Sequence, residues 1–315
     1  RLFIKNTALA GLAATAVPQT LKWLLDSESK AFFKLSLAQW SLHKAILESK
    51  TLNPLDFPQK AKALGFEAVE YVSQLYSQEI KAEGFDNVIR QLGKRSHNEE
   101  IKNNLIMIDE EGELAALSKS ERDNAISNHC RWADAAAELG CHAIRVNLFG
   151  KDAEHDFTKW KQTSIDGLGR LAEYAAKSKI NVLVENHGGL SSDAAKLSEV
   201  IRAVGLNNCG TLPDFGNFCV KRKGGERWGA PCIDEYDKYK GVLEMMPFAH
   251  GVSAKSYDFD AKGNETTIDY HKMLKIVKDA GYTGYIGIEY EGNRLSEEAG
   301  IKATKDLLLK IAATL

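Results

Sequence analysis

What most limits the folds open to this chain is a regular alternation of short β-forming runs with longer helical stretches. Runs rich in Val, Ile, Leu and aromatics begin near 33, 67, 102, 142, 181, 209, 249 and 285. Between and after them lie helical patterns at 53–64, 79–94, 118–139, 159–178, 192–204, 233–246, 267–280 and 296–315. Local signals punctuate the helices: Asn53-Pro54 opens the first, Ser118 with Glu121 three residues on forms a capping box, and Gly65, Gly140, Gly205 and Gly281 follow helix ends. Strict alternation predicts a parallel sheet, and about eight units predict closure into a (β/α)8 barrel with right-handed crossovers. A barrel of about 250 residues plus an N-terminal extension accounts for 315 residues. The expected division is an extension at 1–31 and one barrel domain at 32–315. An open doubly wound nucleotide fold is the rival, yet no G-x-G-x-x-G follows the first strand and no Walker loop is present.

The chemistry gathers where strands stop. In N-V-L-V-E-N-H-G-G (181–189) a run of buried-strand residues ends in Glu185, His187 and two glycines. Residues Val182 to Val184 have no polar face, as expected of a strand covered on both sides. Glu185 therefore falls at the carboxyl end, where α/β folds hold their active sites. C-G-T-L-P-D-F-G-N-F (209–218) delivers Asp214 in the same way, and Y-I-G-I-E-Y-E-G (285–292) delivers Glu289 and then Glu291. A single carboxylate in such a place is most often a cap or a solvated end. Three on strands of one barrel would repel one another at a common point, which favours a cation between them.

Composition narrows the function classes. A net charge of -2 with no basic stripe gives no footprint for nucleic acid. Lys221, Arg222 and Lys223 precede Gly-Gly and read first as solvated loop charge, with a contact to a phosphate or anionic sugar as the alternative; the loop running to Pro231 is a candidate lid or substrate loop. Five cysteines at 130, 141, 209, 219 and 232 show no C-x-x-C spacing, so free or buried thiols are expected rather than a disulfide framework. At the N-terminus, R-L-F-I-K, a small apolar run from Thr7 and A-T-A at 14–16 have the layout of an export signal, similar to the second half of a twin-arginine signal. Its apolar run is too short to span a bilayer, so an exported, periplasmic protein without stable membrane insertion is expected, with a cytoplasmic one as the alternative. Trp23, Leu24 and Leu25 in the connector form a candidate docking patch.

V-E-N-H-G-G, P-D-F-G-N-F, V-S-A-K-S-Y-D-F-D and I-G-I-E-Y-E-G, in that order, resemble the xylose isomerase-like barrel family of sugar phosphate isomerases and epimerases, over roughly 33–315. The resemblance implies one divalent ion (Mn, Mg, Zn or Co) held by Glu, Asp, His and Glu from strands five to eight, and Glu185, Asp214 and Glu289 match three of those ligands. The histidine place is taken by Ser253, two residues before Lys255. His250 is three residues earlier, on the other face of a regular strand, and would reach the ion only through a bulge. His187, Asn217, Ser253 and Lys255 are the candidate substrate contacts. Trp40, His43, Glu70 and Arg145 are candidates for the mouth, more readily explained as core or rim.

The implied reaction is isomerisation or epimerisation of a sugar or keto-sugar, phosphorylated or not, in which Glu185 and Glu289 move a proton through an enediolate. The same groups would serve a lyase or dehydratase. A barrel that binds sugar without turnover, with Lys255 replacing the metal, is the remaining alternative. A barrel nuclease would need a histidine-rich site and a cationic face, and neither is present. The expected partner is a small sugar, and a homo-oligomer is left open.

Overall fold

The computed structural model describes residues 31–151 and 153–315. The expected export signal and the candidate Trp23 patch lie outside these residues. Eight parallel strands form the barrel: β1 (Lys34–Ala38), β2 (Ala68–Val72), β3 (Lys102–Ile108), β4 (Ala143–Val146), β5 (Asn181–Glu185), β6 (Cys209–Leu212), β9 (Val252–Ser256) and β10 (Tyr285–Tyr290). Each strand pairs with its neighbour in chain order, β1 pairs with β10, and the ring is completed by parallel bridges Thr211 to Ala249 and Asp214 to Ser253. The outer helices are α1 (Phe57–Ala63), α2 (Ser77–Glu83), α3 (Phe85–Asn98), α4 (Lys119–Leu139), α5 (Phe157–Ala176), α6 (Ala194–Val204), α7 (Lys238–Met245), α8 (Tyr270–Asp279) and α9 (Glu297–Ala312). No helix among the described residues is long and apolar enough to cross a membrane.

Most elements form where their sequence signals stand. Asn53 Oδ1 accepts from Leu55 N at 2.9 Å, and Ser118 Oγ from Glu121 N at 3.4 Å, so each cap satisfies an otherwise unpaired helix donor. The single helix expected at 79–94 is instead two, because Gly84 takes φ +85°, which breaks the helix between α2 and α3. The helix expected at 233–246 starts only at Lys238. Its first residues form β8 (Cys232–Glu235), which pairs antiparallel with β7 (Cys219–Arg222) in a hairpin outside the barrel.

That hairpin overturns the reading of the cysteines. Cys219 and Cys232 are disulfide-bonded, while Cys130, Cys141 and Cys209 are free. The pairing carries no spacing motif because the two residues meet only through the antiparallel fold of the glycine-rich loop between them.

Inside the barrel lies a buried acid, Glu70 on β2. Ser36 Oγ of β1 donates to its Oε1 at 2.6 Å and Asn104 Nδ2 of β3 at 3.0 Å, while Oε2 has no hydrogen-bond partner. Gly287 of β10 leaves the room: a Cβ there would stand 2.4 Å from Glu70 Oε2. Burial, opposed by those two hydrogen bonds, pushes the Glu70 carboxyl from 4.5 up to about 7. Native protein thus holds this proton longer than unfolded chain does. Its contribution to stability falls as pH rises from 4.5 to about 7 and is flat above, a loss of about 3 kcal/mol. Glu70→Gln is expected to remove this slope, gaining on the wild type by about that amount between pH 5 and pH 8 in urea unfolding. Parallel pH profiles for the two proteins would show that Glu70 does not carry it.

Candidate active site

Parallel strands of a barrel all present their carboxyl ends to one rim, and the acidic residues lie there. Glu185 is the last residue of β5, Asp214 follows β6 by two residues, and Glu289 is the penultimate residue of β10. All three are buried, and one carboxylate oxygen from each lies within 4.8 Å of the others. Asp214 is fixed by its backbone: its Oδ1 accepts from Gly216 N and Asn217 N, both at 2.8 Å, and its own N–H donates to Asn186 Oδ1 at 2.7 Å. This is why P-D-F-G-N turns tightly after the strand.

Two buried cations accompany the acids. Lys255 of β9 donates from Nζ to Glu289 Oε1 and Glu291 Oε1, each at 2.8 Å. Arg145 of β4 donates from Nη1 to Asp109 Oδ1 at 2.9 Å and brings Nε within 2.8 Å of Glu185 Oε2. That second contact pairs charge without hydrogen-bond alignment, since neither atom has a hydrogen-bond partner. Arg145 and Lys255 thus face five carboxylates: Asp109, Glu185, Asp214, Glu289 and Glu291. Burial pushes the Glu185 carboxyl up to about 7 and that of Asp214 up to about 8, against the pull of Arg145 and Lys255 respectively. These two acids therefore lack enough positive charge from the chain to stay ionised in a dry site.

The remaining candidates divide clearly. Asn217 Nδ2 donates to Glu185 Oε1 at 3.0 Å, and Ser253 Oγ lies between Asp214 Oδ2 at 2.6 Å and Glu289 Oε2 at 3.1 Å. Ser253 thus sits among the acids as a hydrogen-bonding hydroxyl. His250 is not brought to the cluster. It precedes β9, is exposed, bonds through its backbone to Thr211 O and packs its ring on Gly210, at the strands' opposite ends. No bulge swings it inward.

His187 stands past the end of β5, after which Gly188 adopts φ +91°. Its Nδ1 meets Asn147 Oδ1 at 2.7 Å, and Asn147 Nδ2 donates to Asp109 Oδ1 at 2.6 Å. Since that Asn oxygen can only accept, Nδ1 carries the proton and Nε2 is a free acceptor. Burial, reinforced by Arg145, holds the imidazole down at about 4, so it is neutral at pH 7.

The relay of Asp109, Asn147 and Arg145 is the part that strand-end carboxylates do not reveal. Its signal is H-A-I-R-V-N, where Arg and Asn alternate with apolar residues at a strand's polar phase. Trp40, Asp109, Arg145, His187, Asn217 and Glu289 are among the residues lining one cavity of about 750 Å³.

A family model described as a xylose isomerase-like TIM barrel matches residues 58–311. The alpha subunit of a C-glycoside deglycosidase from Arthrobacter globiformis is 36% identical over 55 residues, which span only 18% of this chain and 16% of that relative. Among solved structures, L-ribulose 3-epimerase superposes with a TM-score of 0.69 at 15% identity, covering 90% of this chain and 96% of that one. A 3-keto-D-glucoside 4-epimerase from E. coli gives 0.60 at 18% identity, covering 84% and 95%. At these identities the two structures attest the fold, and the family model, spanning most of the barrel, decides membership: the chain belongs to the xylose isomerase-like TIM barrel family.

Proposed function

We propose that the chain is a divalent-metal-dependent isomerase or epimerase of a sugar or keto-sugar. The observation that carries this reading is the meeting of Glu185, Asp214 and Glu289 at the rim, buried and short of positive charge. The residues fit a hard or borderline ion: the donors are carboxylate oxygens, one from each of three buried acids, all within 4.8 Å of one another. Glu185, Asp214 and Glu289 would hold it. A cation there would supply Lewis-acid polarisation of a substrate carbonyl and its neighbouring hydroxyl.

The chain's own groups supply the rest. Glu185 and Glu289 come from β5 and β10 and are suited to take a proton from one side of the substrate and return one on the other, the stereochemical requirement of epimerisation. Asn217 orients Glu185, and Lys255 holds Glu289 while keeping a positive charge beside the developing oxyanion. Neutral His187 accepts a substrate hydroxyl at Nε2. Proton abstraction next to a carbonyl in deuterated water is expected to place deuterium at that carbon in product and in recovered substrate, read by NMR. Turnover with no label after many cycles would exclude this mechanism.

A second reading, β-elimination after the same abstraction, is favoured by the local match to the deglycosidase subunit. It differs only in whether a leaving group departs from the carbanionic species before the proton returns.

A further inference from the structure

The hairpin formed by β7 and β8 is not accounted for by proton transfer at the carboxylates. It arches from Phe218 to Tyr236 and places Trp228 at the cavity mouth, where the ring lies 4.7 Å from His187 and 6.3 Å from Phe149, centroid to centroid. Trp228 is 47% exposed and lines the cavity, so part of its indole is open to whatever the cavity holds. The loop tip is built to hold this ring. Arg222 donates from Nε to Arg227 O at 3.1 Å and from Nη1 to Ala230 O at 2.9 Å, binding both sides of Trp228. Arg227 lies 3.9 Å over the Phe149 ring and pairs with Glu113 at 2.9 Å, fastening the tip to the far side of the mouth. The Cys219 to Cys232 disulfide closes the hairpin at its base.

We infer that the Trp228 face is a second-ring subsite, and that the substrate is a glycoside whose adjoining sugar or aromatic aglycone stacks on Trp228 while its reacting sugar meets the carboxylates. This rests on the sugar reading above and names its substrate class. Three features support it together. A cavity of about 750 Å³ is much larger than one sugar ring fills. The indole presents a flat apolar face, the surface against which ring C–H groups and aromatic rings pack. The subsite is separate from the carboxylates yet joined to them through His187, which touches Trp228 on one side and the Asn147 relay on the other.

Calorimetric titration of the disulfide-intact protein with matched methyl and phenyl β-glycosides of glucose, galactose and xylose, and with their 3-keto forms, tests this directly. With whichever sugar binds, the phenyl glycoside is expected to bind about tenfold tighter than the methyl glycoside. Trp228→Ala should bring that ratio close to one, and Trp228→Phe, which keeps a ring, should retain most of it. A disaccharide arm with cellobiose separates an adjoining sugar from an aryl group as the occupant. Equal binding of methyl and phenyl glycosides by the wild type, or a ratio untouched in Trp228→Ala, would overturn the subsite and leave the sugar reading standing. If no glycoside in the panel binds, the glycoside proposal fails and the subsite with it, whereas the sugar reading is decided separately by the deuterium experiment above.

Discussion

Glu185→Gln and Glu289→Gln are each expected to lose turnover by about a hundredfold to ten-thousandfold while remaining folded. The loss follows from the role of both side chains as proton carriers, which an amide of nearly the same shape cannot take over. The fold should survive because neither change strands a cation. Without the Glu185 charge, Arg145 keeps Asp109 at 2.9 Å, and without that of Glu289, Lys255 keeps Glu291 at 2.8 Å. Circular dichroism and unfolding midpoints near the wild-type values would check that part. Both residues are also candidate ligands, so elemental analysis of each variant separates two causes: a protein that retains its metal but not its activity has lost the proton carrier alone. Full activity in either variant would refute the proposed chemistry.

The barrel was legible because its signals are local and repeated. Strand alternation, glycines after helices and capping residues recur unit after unit, and parallel pairing follows from the order of elements alone. The carboxylates were legible for a related reason: a charged residue that closes an apolar β-forming run falls at that strand's end, and a closed parallel barrel sends all those ends to one rim. What stayed hidden depends on contacts between distant segments. The disulfide needs an antiparallel hairpin that the loop's composition does not announce. His250 illustrates the converse, since a histidine near a lysine invites a ligand assignment, yet the residue precedes β9 and faces away from the rim. Gly287 makes sense only beside Glu70, two strands away in space and far apart in sequence.

Lys255→Met is expected to destabilise the protein by about 3–5 kcal/mol at neutral pH, the cost of removing one partner from a buried ion pair. Lys255 is 1% exposed and is the cation held by both Glu289 and Glu291 on β10 and just beyond it. Methionine fills the space of the aliphatic stem, so the loss would come from charge left uncompensated rather than from a cavity. Burial works against the charge on Lys255, but Glu289 and Glu291 outweigh it and hold the ammonium well above 10.5. Its stabilising contribution is therefore full below 10.5 and is lost only as pH climbs through the higher folded value. Glu291 has the opposite sign: burial raises it, Lys255 more than reverses that, and its carboxyl ends below 4.5. Its share is present above 4.5 and disappears as pH falls through the folded value. Urea unfolding of wild type and variant should thus differ most between these limits and converge at the acid end. Adding Glu291→Gln to Lys255→Met removes one of the two stranded carboxylates and should recover part of the loss, a positive coupling that a double-mutant cycle measures directly. Additive penalties, or a single variant as stable as the wild type, would mean that the pairing of Lys255 with Glu291 does not stabilise the barrel.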